Sequence, residues 1–196
     1  VRLTLPDRFF DYLPWAAATL LIAGIVHVVS VLLMPAVAPR AAYARMLAVV
    51  GGAPTEQFVA LPAAAPGTES LPFEDPAFAE AVCVYDLSRG LLRVTTAADG
   101  DDFIALSFFA NGGRLYHAVT DRAAIKGKID IVIADARQMD ALQAATDVSP
   151  QEVRITAPVK RGFVLARVLA RRPSDQAHAR ERLAALSCRR FDLPKE

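Results

Sequence analysis

Asp86 and Ser88 stand two positions apart in Asp86-Leu-Ser-Arg-Gly90, a spacing that can present a carboxylate and a hydroxyl on one turn. The same spacing lets both side chains bond the turn's own backbone while Gly90 takes a positive φ. A hydrolytic triad drawn from Ser88 or Ser107, His117 and an Asp has the right residue types. No Gly-x-Ser-x-Gly elbow carries either serine, so the types alone specify no nucleophile. His117 lies in a strand-like run, Tyr116-His-Ala-Val-Thr-Asp121, where it faces solvent or a neighbouring strand. His178 sits beside Arg180 and Arg182 in a helical run and is expected to be exposed. Three scattered histidines and two distant cysteines make no zinc pattern, and nothing in the sequence calls for a cofactor. Asp99, Asp101 and Asp102 cluster around Gly100 without the spacing of an EF-hand loop, which favours a solvated turn over a calcium site.

His27 and the two cysteines are read through their surroundings. His27 lies in a stretch from Tyr12 to Pro39 that contains no Asp, Glu, Lys or Arg. A helix of about 20 apolar residues crosses a hydrocarbon core about 30 Å thick, and this segment is apolar all round. Phe9, Phe10, Tyr12 and Trp15 precede its apolar centre, Ala16–Met34, where an interfacial aromatic belt belongs. The reading is one transmembrane helix over 13–37, longer than the hydrophobic part of a cleaved signal peptide. An ionisable group at mid-membrane marks a contact with a partner helix, or else bonds its own backbone or Ser30. Cys83 and Cys188 are the sole cysteines, and an even count in an oxidising compartment favours a disulfide between them.

Orientation rests on architecture. Arg2 and Arg8 before the helix balance Arg40 and Arg45 after it, so the positive-inside count is tied. A short tail followed by a large cysteine-containing domain favours the tail in the cytoplasm and the domain outside. The bacterial inner membrane, with the domain in the periplasm, is the expected location. Nucleic acid is then excluded as a partner, leaving the membrane and another membrane or periplasmic protein. From Ala38 to Val159 there are ten basic and fifteen acidic residues, a net of −5, whereas Lys160 to Glu196 has ten and four, a net of +6. Arg167, Arg171, Arg172, Arg180, Arg182, Arg189 and Arg190 carry that excess, either as a face offsetting the acidic half or as a surface for anions.

The elements that must position these residues follow in order. The chain divides into a tail (1–12), the membrane helix (13–37), a juxtamembrane helix, strand and linker (38–70) and a β-rich domain (71–196). Pro39 opens a helix with Tyr43, Met46, Leu47 and Val50 on one face, packed on the domain or lying at the membrane surface, and Gly51-Gly52 stops it. Phe58–Leu61 is a short strand, 62–70 a linker, and Asp75-Pro76 the start of a short helix through Ala81. Val82–Leu87, Leu92–Thr95, Phe103–Ala110, Arg114–Thr120 and Ile129–Ala134 read as strands, with Asp99-Gly100 and Asn111-Gly112-Gly113 supplying positive-φ turns. Asp135 caps a helix to Ala145 with Met139 and Leu142 inward. Glu152–Ala157 and Gly162–Ala170 read as a hairpin, and a last helix runs from Ser174 or Asp175 to Ser187, just before Cys188. The pattern predicts an α+β fold, a mainly antiparallel sheet or sandwich with short helices and no βαβ unit.

Tyr85-Asp-Leu-Ser-Arg-Gly-Leu-Leu-Arg-Val94, Leu106-Ser-Phe-Phe109, Gly113-Arg-Leu-Tyr116, Asp121-Arg122 and Gly162-Phe-Val-Leu165 come in a suggestive order ahead of a final helix and cysteine. Together they resemble the short, membrane-anchored branch of the bacterial family called domain of unknown function 1254, from about Ala16 to Cys188. Gly90-Leu91 departs from the Ser-x-Gly-Pro of that family. The resemblance implies a β-rich domain behind one transmembrane helix, and no activity. The function expected is a membrane-anchored binding or assembly protein of the cell envelope. The alternative is an envelope-associated hydrolase acting on a small molecule.

Overall fold

The computed structural model describes residues 8–37, 40–63, 67, 74–98, 100, 102–145 and 151–192. It divides into two units, Val1–Pro39 and Arg40–Glu196. The first holds α1 (Arg8–Val37), within which Asp11–Met34 has a mean hydropathy of 2.4 and is long and apolar enough to cross a membrane. At about 1.5 Å per residue those 24 residues exceed the hydrocarbon thickness.

The second unit is a two-sheet sandwich. Sheet A has five strands in the order β1 (Val59–Ala60), β2 (Phe78–Asp86), β8 (Arg161–Leu169), β4 (Ile104–Ala110), β5 (Leu115–Thr120). Sheet B runs β7 (Val153–Thr156), β6 (Lys128–Ala134), β3 (Leu91–Ala97), β9 (Ser187–Phe191). Every strand pair is antiparallel except β6 with β7. Ala81, Cys83, Tyr85, Leu106, Phe108 and Val164 from sheet A meet Leu92, Val94, Ile131 and Ile133 from sheet B in one core. The period-2 alternation of β4, inward at Ile104, Leu106 and Phe108, builds its half of that core.

A helix covers the outer face of each sheet. On sheet A, α2 (Arg40–Val49) buries Met46 completely among Val82, Val84 and Phe163, with Tyr43 and Leu47 alongside. The juxtamembrane helix is therefore packed on the domain. On sheet B, α3 (Ala136–Ala145) places Met139 and Leu142 on Leu91 and Val132. Asp135 and Gln138 close a reciprocal cap at the start of α3 (2.9 and 3.0 Å). The remaining helix, α4 (Gln176–Ala184), sends Ala179 and Leu183 into the core between the sheets.

Five expectations are corrected. Asp75 caps only a turn, its carboxylate accepting from the Ala77 N–H (2.9 Å) before β2 begins at Phe78. The alternation Ala79, Ala81, Cys83, Tyr85 pairs residue for residue with β8 and overrides helix propensity there. Glu152–Ala157 and Gly162–Ala170 form no hairpin, because β7 joins β6 in sheet B while β8 is the centre of sheet A. The connection at Pro158 carries the chain from one sheet to the other. With α3 between β6 and β7, these elements make a parallel βαβ unit. The last helix stops at Ala184, and Cys188 lies on β9, a strand whose exposed Arg189 and Arg190 hide its inward position. Of the expected turn glycines, Gly113 has positive φ (76°) and Gly100 does not. Pro39, most of the 62–70 linker, Asp99 and Asp101 lie outside the described residues.

Candidate functional site

The Asp86–Ser88 turn is internally satisfied. Asp86 Oδ1 accepts from the Ser88 N–H (3.0 Å) and hydroxyl (2.6 Å), and Oδ2 accepts from Arg161 Nε (2.9 Å). Burial acts to raise this carboxyl, but the bonds from Ser88 and Arg161 outweigh it and hold it below the usual carboxylate range. Gly90 follows with φ 144° and lies against Arg190, where a Cβ would meet Cγ at 2.9 Å. Both side chains take part in the turn's own bonding, and Ser88 remains exposed.

The triad candidates remain apart. Ser107 pairs across β4–β5 with Ala118, and His117 is exposed with its ring 6.1 Å from that of Phe108. Among the described residues no hydrogen bond joins a serine to a histidine. His27 is exposed on α1 and makes no hydrogen bond among the described residues, to Ser30 or otherwise. No group of three His, Cys, Asp or Glu side chains among the described residues is placed to hold a metal ion.

Cys83 and Cys188 form the disulfide, with Cα atoms 6.6 Å apart. It joins β2 in one sheet to β9 in the other through the core, with Cys83 at 0% and Cys188 at 3% exposure.

The arginines sort themselves by partner. Arg167 meets Glu80 (2.7 Å) across β8–β2, Arg182 meets Asp102 (3.3 Å), Arg190 meets Glu56 (3.7 Å) and Arg172 meets Asp175 (3.6 Å). Most of the C-terminal positive charge thus faces acids of its own domain. Arg171, Arg180 and Arg189 have no hydrogen bond or ion pair among the described residues.

Two of those three line the same place. Two adjoining cavities, of about 290 and 430 Å³, share Arg171 and Arg172 at the end of β8. The smaller has Phe103 and Leu169 as apolar floor and carries Asp102 and His178, bonded Oδ2 to Nε2 at 2.9 Å. The larger is walled by Ala63, Pro76, Ala77, Ala170 and Pro173, with Gln176 and Arg180 entering from α4. Its walls are tied together: the Ala170 N–H donates to the Ala77 carbonyl (2.7 Å) and Gln176 Nε2 to the Pro76 carbonyl (2.8 Å). The acids at the rim are engaged, Asp102 by His178 and Arg182, and Asp175 by the Arg172 N–H (3.1 Å) and the Ser174 hydroxyl (3.1 Å). The arrangement can hold an anion. Ser174 donates to Asp175 (3.1 Å) and His178 bonds Asp102, so among the described residues the cleft holds no serine–histidine bond.

His178 is exposed, as its helical run implies, but its bond to Asp102 was not legible, since 76 residues separate the two and the link forms only in the assembled domain. The charge asymmetry between the two halves of the chain was the one available signal for the cleft.

Fold and site together define a helix-flanked, disulfide-linked β-sandwich domain behind an apolar helix. No family model matches the chain, and no curated protein matches it. Among solved structures it is similar to the VPA0106 protein of Vibrio parahaemolyticus, with a TM-score of 0.55 at 15% identity, over 80% of this chain and 37% of that one. An uncharacterized protein from Burkholderia cenocepacia aligns with a TM-score of 0.44 at 15% identity, over 79% of this chain and 41% of its own. The first likeness is one of fold alone. The chain spans about two-fifths of the length of these structures.

Proposed function

We propose that this chain is a single-pass membrane protein of the bacterial cell envelope, with the tail cytoplasmic and the sandwich in the periplasm as a binding or assembly module. The observation that carries this reading is the Cys83–Cys188 disulfide behind the apolar helix Asp11–Met34. Disulfides persist in oxidising compartments and are rare where glutathione and thioredoxin keep thiols reduced. The resemblance to domain of unknown function 1254 belongs to the same proposal. Binding is favoured over hydrolysis because the cleft of about 430 Å³ sets the Arg171 and Arg180 guanidiniums beside apolar walls, and no serine–histidine bond is present among the described residues. The test is an alkaline phosphatase fused after Glu196, which is active in cells under this reading. An inactive phosphatase with a fluorescent cytosolic-type fusion at the same point overturns it.

His27 is assigned to contact with a partner helix within the membrane, since its ring finds no acceptor on its own helix. Interhelical hydrogen bonds in membranes contribute only about 0.6–2 kcal/mol, so His27→Leu is expected to weaken a co-purifying complex in part. Unchanged yield across a detergent series removes His27 from that role.

A further inference from the structure

We infer that the cleft between the start of β2, the end of β8 and α4 binds a phosphoryl group on a small organic body, with Arg171 and Arg180 as its two anchors. The inference rests on the reading of the domain as a binding module and names the ligand chemistry.

Three observations converge. The first is charge: in the C-terminal stretch, Arg167, Arg172, Arg182 and Arg190 each face an acid, while Arg171 and Arg180 face none among the described residues. Guanidiniums present forked N–H donors that match phosphate and carboxylate oxygens in pairs, and two of them beside one cleft suit a group with more than two acceptor oxygens. The second is shape: about 430 Å³ lies within the range of small-molecule sites, and the walls are short, stiff Ala and Pro side chains. The third is preorganisation. The Ala170–Ala77 and Gln176–Pro76 bonds fix the walls to one another, so little ordering is left for the ligand to impose. The rim acids Asp102 and Asp175 are already bonded to His178, Arg182 and Arg172, which lowers their repulsion of an incoming anion. The apolar wall of Ala63, Pro76, Ala77 and Pro173 takes the carbon body.

The phosphoryl group can belong to a soluble ester or to a lipid headgroup, and one experiment separates them. The full chain is placed in phosphatidylcholine nanodiscs and titrated with sn-glycerol 3-phosphate by isothermal calorimetry. One-site binding is expected, weakened at least about tenfold by Arg171→Gln and by Arg180→Gln. Arg189, the third arginine of the C-terminal stretch with no partner among the described residues, lines neither cavity, and Arg189→Gln is expected to leave the affinity within about twofold. Repeating the titration in nanodiscs containing phosphatidylglycerol raises the apparent Kd if the headgroup is the ligand and leaves it unchanged if the ligand is soluble. Absence of binding in phosphatidylcholine discs overturns the inference. So does binding that ignores Arg171 and Arg180, or that Arg189→Gln weakens equally. The phosphatase fusion reads topology alone, so the failure of either proposal is recognised without the other.

Discussion

A Cβ at Gly162 would press on the Phe109 carbonyl and lie 2.5 Å from the Tyr85 hydroxyl oxygen. Gly162 pairs with Tyr85 across β2–β8, and the ring lies over the space a side chain would fill. Gly162→Ala is expected to lower stability by about 1–3 kcal/mol through overpacking, read as a lower urea midpoint. The Tyr85 hydroxyl bonds that of Tyr116 at 2.7 Å. Burial pushes the Tyr85 phenol upward and that of Tyr116 up to about 12, against an ordinary value of 10.0. Above pH 10 the unfolded chain releases protons that the folded chain keeps, so stability falls with pH between about 10 and 12. Tyr116→Phe should flatten that slope, and an unchanged slope would contradict the pairing.

Two cross-strand acid–arginine pairs on the sheets' outer faces differ in sign. Asp130 takes Arg93 Nε and Nη2 at 2.7 and 2.8 Å, and those bonds hold its carboxyl below the ordinary 3.8. Glu80 lies 2.7 Å from Arg167, yet burial outweighs the arginine and raises its carboxyl above the ordinary 4.5. Asp130 therefore stabilises the fold above pH 3.8 and loses that contribution on acidification. Glu80 contributes fully below 4.5 and progressively less as pH rises through its raised value. At pH 7, Asp130→Asn should cost about 1–2 kcal/mol, discounted because Arg93 is 40% exposed, while Glu80→Gln should be neutral or stabilising. Denaturant melts at pH 7 and pH 3 decide it: equal losses for both variants at pH 7 would reject the distinction.

At the scale of elements, α2 and the disulfide hold the sandwich from outside and inside. Met46→Ala empties a fully buried site against Val82, Val84 and Phe163 and is expected to cost about 2–5 kcal/mol. Replacing Cys83 and Cys188 together by Ala opens a loop of 105 residues and is expected to cost about 2–5 kcal/mol. A double variant with wild-type stability would show that the core alone sets the register of β9. These elements also mark what the sequence disclosed. The β4–β5 hairpin, β6, the Asp135 cap and α2 were legible because local periodicity and turn chemistry agree there with the tertiary fold. β9 and the parallel β6–β7 pairing were not, because partner choice depends on strands distant in sequence. The Asp86–Ser88 turn was readable within five residues, whereas the Arg171–Arg180 cleft needs β2, β8 and α4 assembled.

For the whole molecule, the proposed envelope-anchored binding protein rests on an apolar helix, a cross-sheet disulfide and a cleft lined by Arg171 and Arg180. The cysteines report the compartment in which the domain folds. Protein purified from its native membrane is denatured without reductant and treated with a thiol-alkylating reagent. The account predicts no labelled thiol before reduction and both Cys83 and Cys188 labelled after it. Two labelled thiols before reduction would contradict the disulfide in the cell, and the extracytoplasmic placement with it.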